Sequence, residues 1–81
     1  MKDLHLTILS PEKKIFDGEV KSVTFPGTMG LFTILPQHAP IVSSLREGSL
    51  VYVAKDGSEH NLDIKGGFVE LSNGVISACV D

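Results

Sequence analysis

The stretch GTMGLFTILPQHAP, residues 27–40, decides the fold because two prolines and two glycines punctuate an otherwise apolar segment. Its central run Leu31–Leu35 predicts one strand, which Pro36 closes because proline has no N–H to donate to a sheet ladder. Pro40 pushes the residue before it into an extended conformation, so residues 37–40 form a tight corner that feeds another strand. We interpret this stretch as the working edge of the domain and the rest of the chain as its scaffold.

Turn signals recur along the whole chain at intervals of eight to twelve residues. Spacing of this kind is typical of an all-β sandwich or barrel. The segments between the turns do not resemble one another, so the spacing is not a sequence repeat. No segment free of Gly and Pro shows a 3.6-residue period, which predicts little or no helix. The turn signals are Gly18, Pro26-Gly27, Pro36, Gly48, Gly57, Gly66-Gly67 and Gly74.

The apolar pattern between these turns predicts strands. Leu4, Leu6 and Ile8 alternate with polar residues, as expected for a strand with one buried face. Residues 41–45 suit either a strand or a single helical turn, and their leading β-branched side chains favour a strand. The other predicted strands cover residues 14–16, 19–25, 31–35, 49–55, 59–65, 68–71 and 75–80.

Local residue chemistry predicts how these strands are joined. Asp17-Gly18, Asp56-Gly57 and Asn73-Gly74 are dipeptides that favour hairpin turns, the last of type I′. Arg46-Glu47-Gly48 is predicted to turn the chain. Gly66-Gly67 allows a sharp bend or a close approach of two backbones.

Two strands carry patterns with a structural consequence. Val20 is out of phase with the apolar residues that follow it, and a bulge between Val20 and Val23 would restore the phase. Residues 59–65 alternate cleanly, which predicts that His60, Leu62 and Ile64 point inward.

Length and composition limit the class of protein. The chain has 81 residues, enough for one small domain over residues 1–81. Seven basic and ten acidic residues give a formal net charge of -3 with neither sign clustered, so no nucleic-acid partner is expected. The single cysteine, Cys79, excludes an internal disulfide. Since the sequence shows neither a signal-peptide core nor about 20 successive apolar residues, we expect a soluble protein that reaches a membrane only through partners.

The polar residues form no recognisable catalytic or metal-binding pattern. His5, His38 and His60 do not lie at ligand spacing, so ordinary hydrogen-bonded histidines are favoured over zinc ligands. A triad of Ser43, His38 and Asp63 can be drawn, but the chain has no Gly-x-Ser-x-Gly elbow. We therefore expect no catalytic residue, no metal and no cofactor. A β-sandwich of this kind usually binds other proteins.

Several segments, in order, resemble the N-terminal domain of the epsilon subunit of the F-type ATP synthase. They cover nearly all of the chain, and the motifs Leu-Pro-x-His-Ala-Pro and Gly-Gly-Phe-x-Glu are specific as a pair. The resemblance implies an all-β fold, a ten-stranded β-sandwich of two five-stranded sheets with little or no helix. The segments are LTILSPE (6–12), FDGEV (16–20), GLFTILPQHAP (30–40), Leu45 with Gly48, GGFVEL (66–71) and the final strand 75–80.

The resemblance also implies a function in the central stalk. Such a domain is non-catalytic, binds the gamma subunit on one side and rests on the polar loops of the membrane c-ring. It couples proton or ion translocation to ATP synthesis at the cytoplasmic face of the bacterial inner membrane. By the family's pattern the matching positions are Ser10, His38 and Ser43 for gamma, and Thr28, Met29, Gly30, Leu31 and Phe32 for the c-ring.

Two features depart from the family's pattern. Many members have Gly-Glu-Leu-Gly where this chain has Gly30-Leu31-Phe32-Thr33, so Leu31 replaces an acidic c-ring contact. Strand alternation predicts that Leu31 lies outside and that Phe32 lies inside with Phe25. The family usually continues into a helical hairpin that can bind ATP, and these 81 residues, which are either a short member or part of a longer protein, do not include it. We expect that they neither bind ATP nor inhibit its hydrolysis through an inserted helix.

The residues alone leave two other functions open. One is a free-standing β-sandwich module that binds a sugar or a peptide, and the other is a small metal-dependent β enzyme. Sugar-binding faces generally need exposed aromatic side chains, whereas this chain has no Trp and one Tyr. The missing ligand pairs count against the metal enzyme. Co-purified gamma subunit would favour the rotor function, and bound zinc would favour the enzyme.

Overall fold

The computed structural model describes residues 3–81, so Met1 and Lys2 of the predicted domain lie outside the described residues. Residues 3–81 form strands and turns, and this range contains no helix long and apolar enough to cross a membrane. The strands are β1 (Leu4–Leu9), β2 (Lys14–Gly27), β3 (Gly30–Ile34), β4 (Ile41–Leu45), β5 (Gly48–Ala54), β6 (Glu59–Ile64), β7 (Gly67–Ser72) and β8 (Val75–Val80).

The strands form two layers that share β2. The first half of β2 pairs with β1, and that layer continues through β8 and β7 to β4. The second half of β2 pairs with β3 on one side and β5 on the other, and β6 completes that layer. The pair β1–β8 is parallel and the other pairs are antiparallel. The predicted all-β sandwich is confirmed.

The number of strands differs from the ten that the resemblance implied. Residues 3–81 contain eight strands, and β2 runs unbroken for 14 residues where two strands were predicted. The hairpin predicted at Asp17-Gly18 is therefore wrong. Asp17 and Gly18 lie opposite Thr7 and Leu6 in the β1–β2 ladder, and this pairing keeps the backbone extended despite the turn preference of the dipeptide.

Two bends carry the chain from one layer to the other. β4 and β5 both run antiparallel to β2, so the turn predicted at Arg46-Glu47-Gly48 is a bend that keeps the direction of the chain. β6 and β7 likewise run in the same direction as each other, since β6 is antiparallel to β5 and β7 is antiparallel to β4. The bend predicted at Gly66-Gly67 is confirmed.

Other turn predictions follow from local chemistry and are confirmed. Asn73 and Gly74 have φ angles of 52° and 75°, as a type I′ turn requires. At the Asp56-Gly57 hairpin, the Ala54 N–H donates to the Ser58 carbonyl oxygen at 2.8 Å. These turns set the register of the strands that they join.

The corner after β3 is a type II turn. The His38 N–H donates to the Leu35 carbonyl oxygen at 3.2 Å. Pro36 occupies the second position of this turn, and Gln37 has the positive φ, 70°, that the third position needs. The predicted tight corner is therefore confirmed, and it places His38 between β3 and β4.

The core lies between the two layers and consists of Leu, Ile, Val, Ala and Phe. Phe25 is the largest of its fully buried side chains. Burying one such Leu, Ile or Phe side chain stabilises the fold by about 1.5–3 kcal/mol. The β2–β5 register shifts between Val20 and Ser22, which confirms the predicted bulge and brings Val20 into the core. The core residues are Leu4, Leu6, Ile8, Val20, Val23, Phe25, Ile34, Leu45, Leu50, Ile64, Val69, Leu71, Ile76, Ala78 and Val80.

His60 departs from its predicted burial. Within β6 only Ile64 is buried and Leu62 is half-buried, whereas His60 is exposed. Its ring stacks on Tyr52, with centroids 5.1 Å apart, and Tyr52 packs in turn on Phe16. The alternation therefore predicted correctly that Leu62 and Ile64 face the core. It did not predict that His60, near the start of β6, is exposed.

Candidate partner-binding surface

The β2–β3 hairpin presents an apolar tip. Thr28 and Met29 form its two-residue loop, and the Met29 side chain is 99% exposed. Gly30 follows with a φ of 127°, which L side chains rarely adopt. Leu31 is 69% exposed on the outer face of β3, whereas Phe32 packs inward, its ring centroid 5.7 Å from that of Phe25. The predicted orientations of Leu31 and Phe32 are confirmed.

Backbone contacts attach this hairpin to the neighbouring strand β4. The Thr28 N–H donates to the Ser44 carbonyl oxygen at 3.2 Å, and the hydroxyls of the same two residues lie 2.9 Å apart. On the side of β2 that faces β4 and not β3, the Arg46 N–H donates to the Pro26 carbonyl oxygen at 2.9 Å. The tip is therefore held on a sheet, and its exposed side chains are presented in a defined orientation.

A shallow pocket of about 330 Å³ opens between β3 and β4. Phe32 comes from β3, Ile41, Val42 and Ser43 come from β4, and His38 comes from the corner between them. His38 donates from Nδ1 to the carbonyl oxygen of Ala39 at 2.7 Å, which leaves Nε2 available to a partner. The structure thus brings together two of the three residues expected to face gamma, and places beside them one residue expected at the c-ring. We call this pocket the seam.

Ser10 lies elsewhere on the domain. Its hydroxyl closes the turn between β1 and β2, accepting from the Lys13 N–H and donating to the Lys13 carbonyl oxygen, both at 3.2 Å. It also lines an apolar groove of about 370 Å³ that includes Phe68 and Cys79. β8 and β7 separate β1 from β4, so Ser10 and Ser43 are three inter-strand steps apart, about 14 Å.

The segment that contains the tip and the seam carries no formal charge. Residues 22–45 contain no Asp, Glu, Lys or Arg, although these types make up 21% of the chain. Seven large apolar side chains are exposed among residues 3–81, and four of them belong to this segment: Met29, Leu31, Leu35 and Val42. Contiguous exposed apolar patches are typical of interaction sites, and this segment is therefore the candidate surface. We call residues 22–45 the uncharged segment.

The ion pairs lie outside the uncharged segment. Hydrogen bonds from Lys14 and then His5 hold the pKa of Asp17 below its ordinary value. A hydrogen bond to Glu19 raises the pKa of Lys55. Both clusters are exposed, where ion pairs contribute little to stability. The polar side chains of the uncharged segment are therefore its hydroxyls, the amide of Gln37 and the imidazole of His38.

The structure does not assemble the other sites that were considered. Asp63 accepts a hydrogen bond from the Ser49 hydroxyl at 2.7 Å, whereas Ser43 donates to the Ser44 carbonyl oxygen, so no triad joins Asp63 to the seam. Among residues 3–81 no three His, Cys, Asp or Glu side chains converge in a way that could hold a metal ion.

Comparison with known proteins identifies the family. Residues 3–81 match the family model described as "ATP synthase, Delta/Epsilon chain, beta-sandwich domain". This chain belongs to the ATP synthase delta/epsilon chain family. The family that the sequence motifs resembled is thereby confirmed.

Relatives within the ATP synthase delta/epsilon family are substantially similar. The ATP synthase epsilon chain of Bordetella petrii is 40% identical over the whole of this chain, which spans 57% of that relative. The epsilon chain of Nitratiruptor sp. is 42% identical, again over the whole chain, and 63% of it is spanned. The chain thus covers about three fifths of the length of these curated relatives.

A solved structure confirms the family's fold. A chain of the Euglena gracilis mitochondrial ATP synthase, solved as an OSCP/F1/c-ring assembly, superposes with a TM-score of 0.90 at 24% identity. The match covers 96% of this chain and 50% of that chain. This likeness supports the β-sandwich architecture of the delta/epsilon domain.

The sequence reasoning missed two properties of the surface of this delta/epsilon domain. Neither the absence of charge over residues 22–45 nor the meeting of Phe32 with His38 and Ser43 was predicted. The first was readable from the sequence as a gap between Lys21 and Arg46. The second required the fold, because it depends on how β3 and β4 are placed.

Proposed function

We propose that this domain is part of a rotor subunit in the central stalk of an F-type ATP synthase. It binds the gamma subunit and the c-ring, and it couples proton or ion translocation to ATP synthesis without catalysing a reaction. It works at the cytoplasmic face of a bacterial inner membrane and is held there by its partners. The observation that carries this proposal is the match to epsilon chains over the whole domain.

The surface properties support two contacts in the uncharged segment. The seam offers a concave, mainly apolar site with His38 and Ser43 at its rim, which suits the gamma subunit. The exposed tip residues Met29, in the loop, and Leu31, on the outer face of β3, suit the loops of the c-ring. Both contacts are apolar at their centre, as the cores of protein interfaces are.

Purified gamma subunit provides the direct test of this function. The chain is expected to form a complex with gamma that survives gel filtration, and to restore coupled ATP synthesis to vesicles that contain an ATP synthase without its epsilon subunit. Failure of the chain to bind gamma from any related bacterial synthase would contradict the proposal. Such a result would favour the free-standing binding module.

His38→Glu is expected to weaken gamma binding by at least about tenfold, because it places a charge without a partner at the rim of an apolar pocket. His38 is exposed, and among residues 3–81 its side chain hydrogen-bonds only to its neighbour Ala39, so the fold should survive. Surface plasmon resonance measures the affinity, and circular dichroism checks the fold. Equal affinity of His38→Glu and the unaltered chain would remove the seam from the gamma contact.

Ser10→Arg tests how far the gamma contact extends. A protein interface commonly covers about 800 Å² per partner, a patch about 30 Å across, so one partner can reach both the seam and Ser10. We expect weaker binding, with a smaller loss than for His38→Glu, since Ser10 lies outside the seam. Thermal unfolding is the necessary control, because the Ser10 hydroxyl closes its own turn. Unchanged affinity in a folded variant would exclude this end of β1.

A further inference from the structure

β3 is an edge strand without the usual protection. Within residues 3–81 it pairs only with β2. Proteins normally guard such edges with charged side chains, prolines or bulges, because an open edge can pair with another chain. The five residues of β3, Gly30–Ile34, include no charge and no proline. The opposite edge of the same layer, β6, carries Glu59 and Asp63.

Pro26 determines which backbone groups of β3 are free. Residues opposite each other in an antiparallel pair alternate between exchanging two hydrogen bonds and exchanging none. Pro26 lies opposite Leu31 and has no N–H, so this pair exchanges none, and neither does Thr24–Thr33. The Pro26 carbonyl accordingly bonds to Arg46 on the far side of β2. The N–H and C=O groups of Leu31 and Thr33 therefore point toward the free edge.

The seam lies next to these groups. Phe32, between Leu31 and Thr33 in the chain, forms one wall of the pocket, and Ile41 and Val42 on β4 form another. No ladder joins β3 to β4, and Phe32 brings the pocket within one residue of the free backbone groups. A strand added to an open edge gains main-chain hydrogen bonds, and pockets for alternate side chains give it specificity.

We infer that gamma adds an extended, uncharged segment of its own chain to the edge of β3, with one apolar side chain inserted in the seam. This inference rests on the proposed function and names the form of the gamma contact. The segment bonds to the four free groups of Leu31 and Thr33. It carries no charge near the seam, since residues 22–45 offer no charged side chain to pair with one.

Thr33→Pro removes one free N–H without disturbing the β2–β3 ladder. Proline is tolerated on an edge strand where its missing N–H would face solvent. The affinity for gamma should fall by at least about tenfold, because a main-chain bond is lost and the ring obstructs the incoming strand. Thr33→Ala is the matched control: it also removes the hydroxyl that lies 2.9 Å from that of Thr24, but it keeps the N–H. We expect Thr33→Ala to bind within about threefold of the unaltered chain.

Amide hydrogen exchange by NMR tests the inference without any substitution. The Leu31 and Thr33 amides should exchange rapidly in the free domain and become protected when gamma binds. The Phe32 amide, bonded to β2, should be protected in both states. Gamma binding without new protection at Leu31 and Thr33 would overturn strand addition while leaving the proposed function intact. Absence of gamma binding would overturn both, and protection that grows with the concentration of the chain alone would assign the edge to a second copy.

Discussion

Gly67→Ala is expected to lose at least about 3 kcal/mol of unfolding free energy, which is most of the stability of a domain this small. A Cβ atom at Gly67 would lie 2.1 Å from the carbonyl oxygen of Cys79 on the neighbouring strand β8. That oxygen is backbone, so the clash cannot be relieved by turning a side chain, and the β7–β8 ladder must shift. The positive φ of Gly67, 142°, adds backbone strain.

Gly30→Ala is the matched control for this prediction. Gly30 has a similar φ, 127°, but a Cβ atom there would meet nothing within 4 Å. Its substitution therefore measures the backbone strain alone, about 1–2 kcal/mol. Urea unfolding followed by circular dichroism suits both variants, since the chain has no Trp. Equal losses in the two variants would show that the close approach of β7 and β8 does not contribute.

Leu31→Asp is expected to lower ATP synthesis in reconstituted vesicles by at least about tenfold, provided that the tip contacts the c-ring as proposed. Leu31 is 69% exposed, so the substitution should change the stability of the domain by no more than about 0.5 kcal/mol. Its expected effect comes from placing a carboxylate in an apolar contact. Gamma binding is measured in parallel, because a charged side chain on β3 also guards its edge against an added strand.

The salt dependence of assembly checks the same idea independently. Exposed ion pairs are screened over a Debye length of about 8 Å at physiological ionic strength, whereas apolar contacts are weakened little by salt. Rotor assembly with the unaltered chain should therefore tolerate high salt.

Val75→Asp is the matched control for Leu31→Asp, because it adds the same charge at an exposed apolar residue of β8. It should leave ATP synthesis unchanged. Full synthesis with Leu31→Asp would exclude the apolar tip as the c-ring contact.

Local predictions succeeded where a few neighbouring residues decide the conformation. Asn73-Gly74 adopts the type I′ turn because both residues tolerate a positive φ. Strand alternation placed Leu31 outside and Phe32 inside because successive side chains of a strand point to opposite faces. Neither result needs information from elsewhere in the chain.

Predictions failed where a distant strand decides the conformation. Asp17-Gly18 has the composition of a hairpin turn, yet pairing with Thr7 and Leu6 keeps it extended. The preferences of a dipeptide are small beside the hydrogen bonds and burial that a long ladder supplies.

Some features of the candidate surface can likewise be read from the sequence, whereas others depend on the fold. The sequence by itself determined the all-β class, the apolar tip and the absence of charge over residues 22–45, since these depend on composition and on a period of two. The tertiary structure alone decided that His38 and Ser43 meet Phe32 in the seam while Ser10 lies apart, and that Gly67 touches Cys79. Residues distant in the chain become neighbours only through the order and register of the strands, which no local pattern encodes.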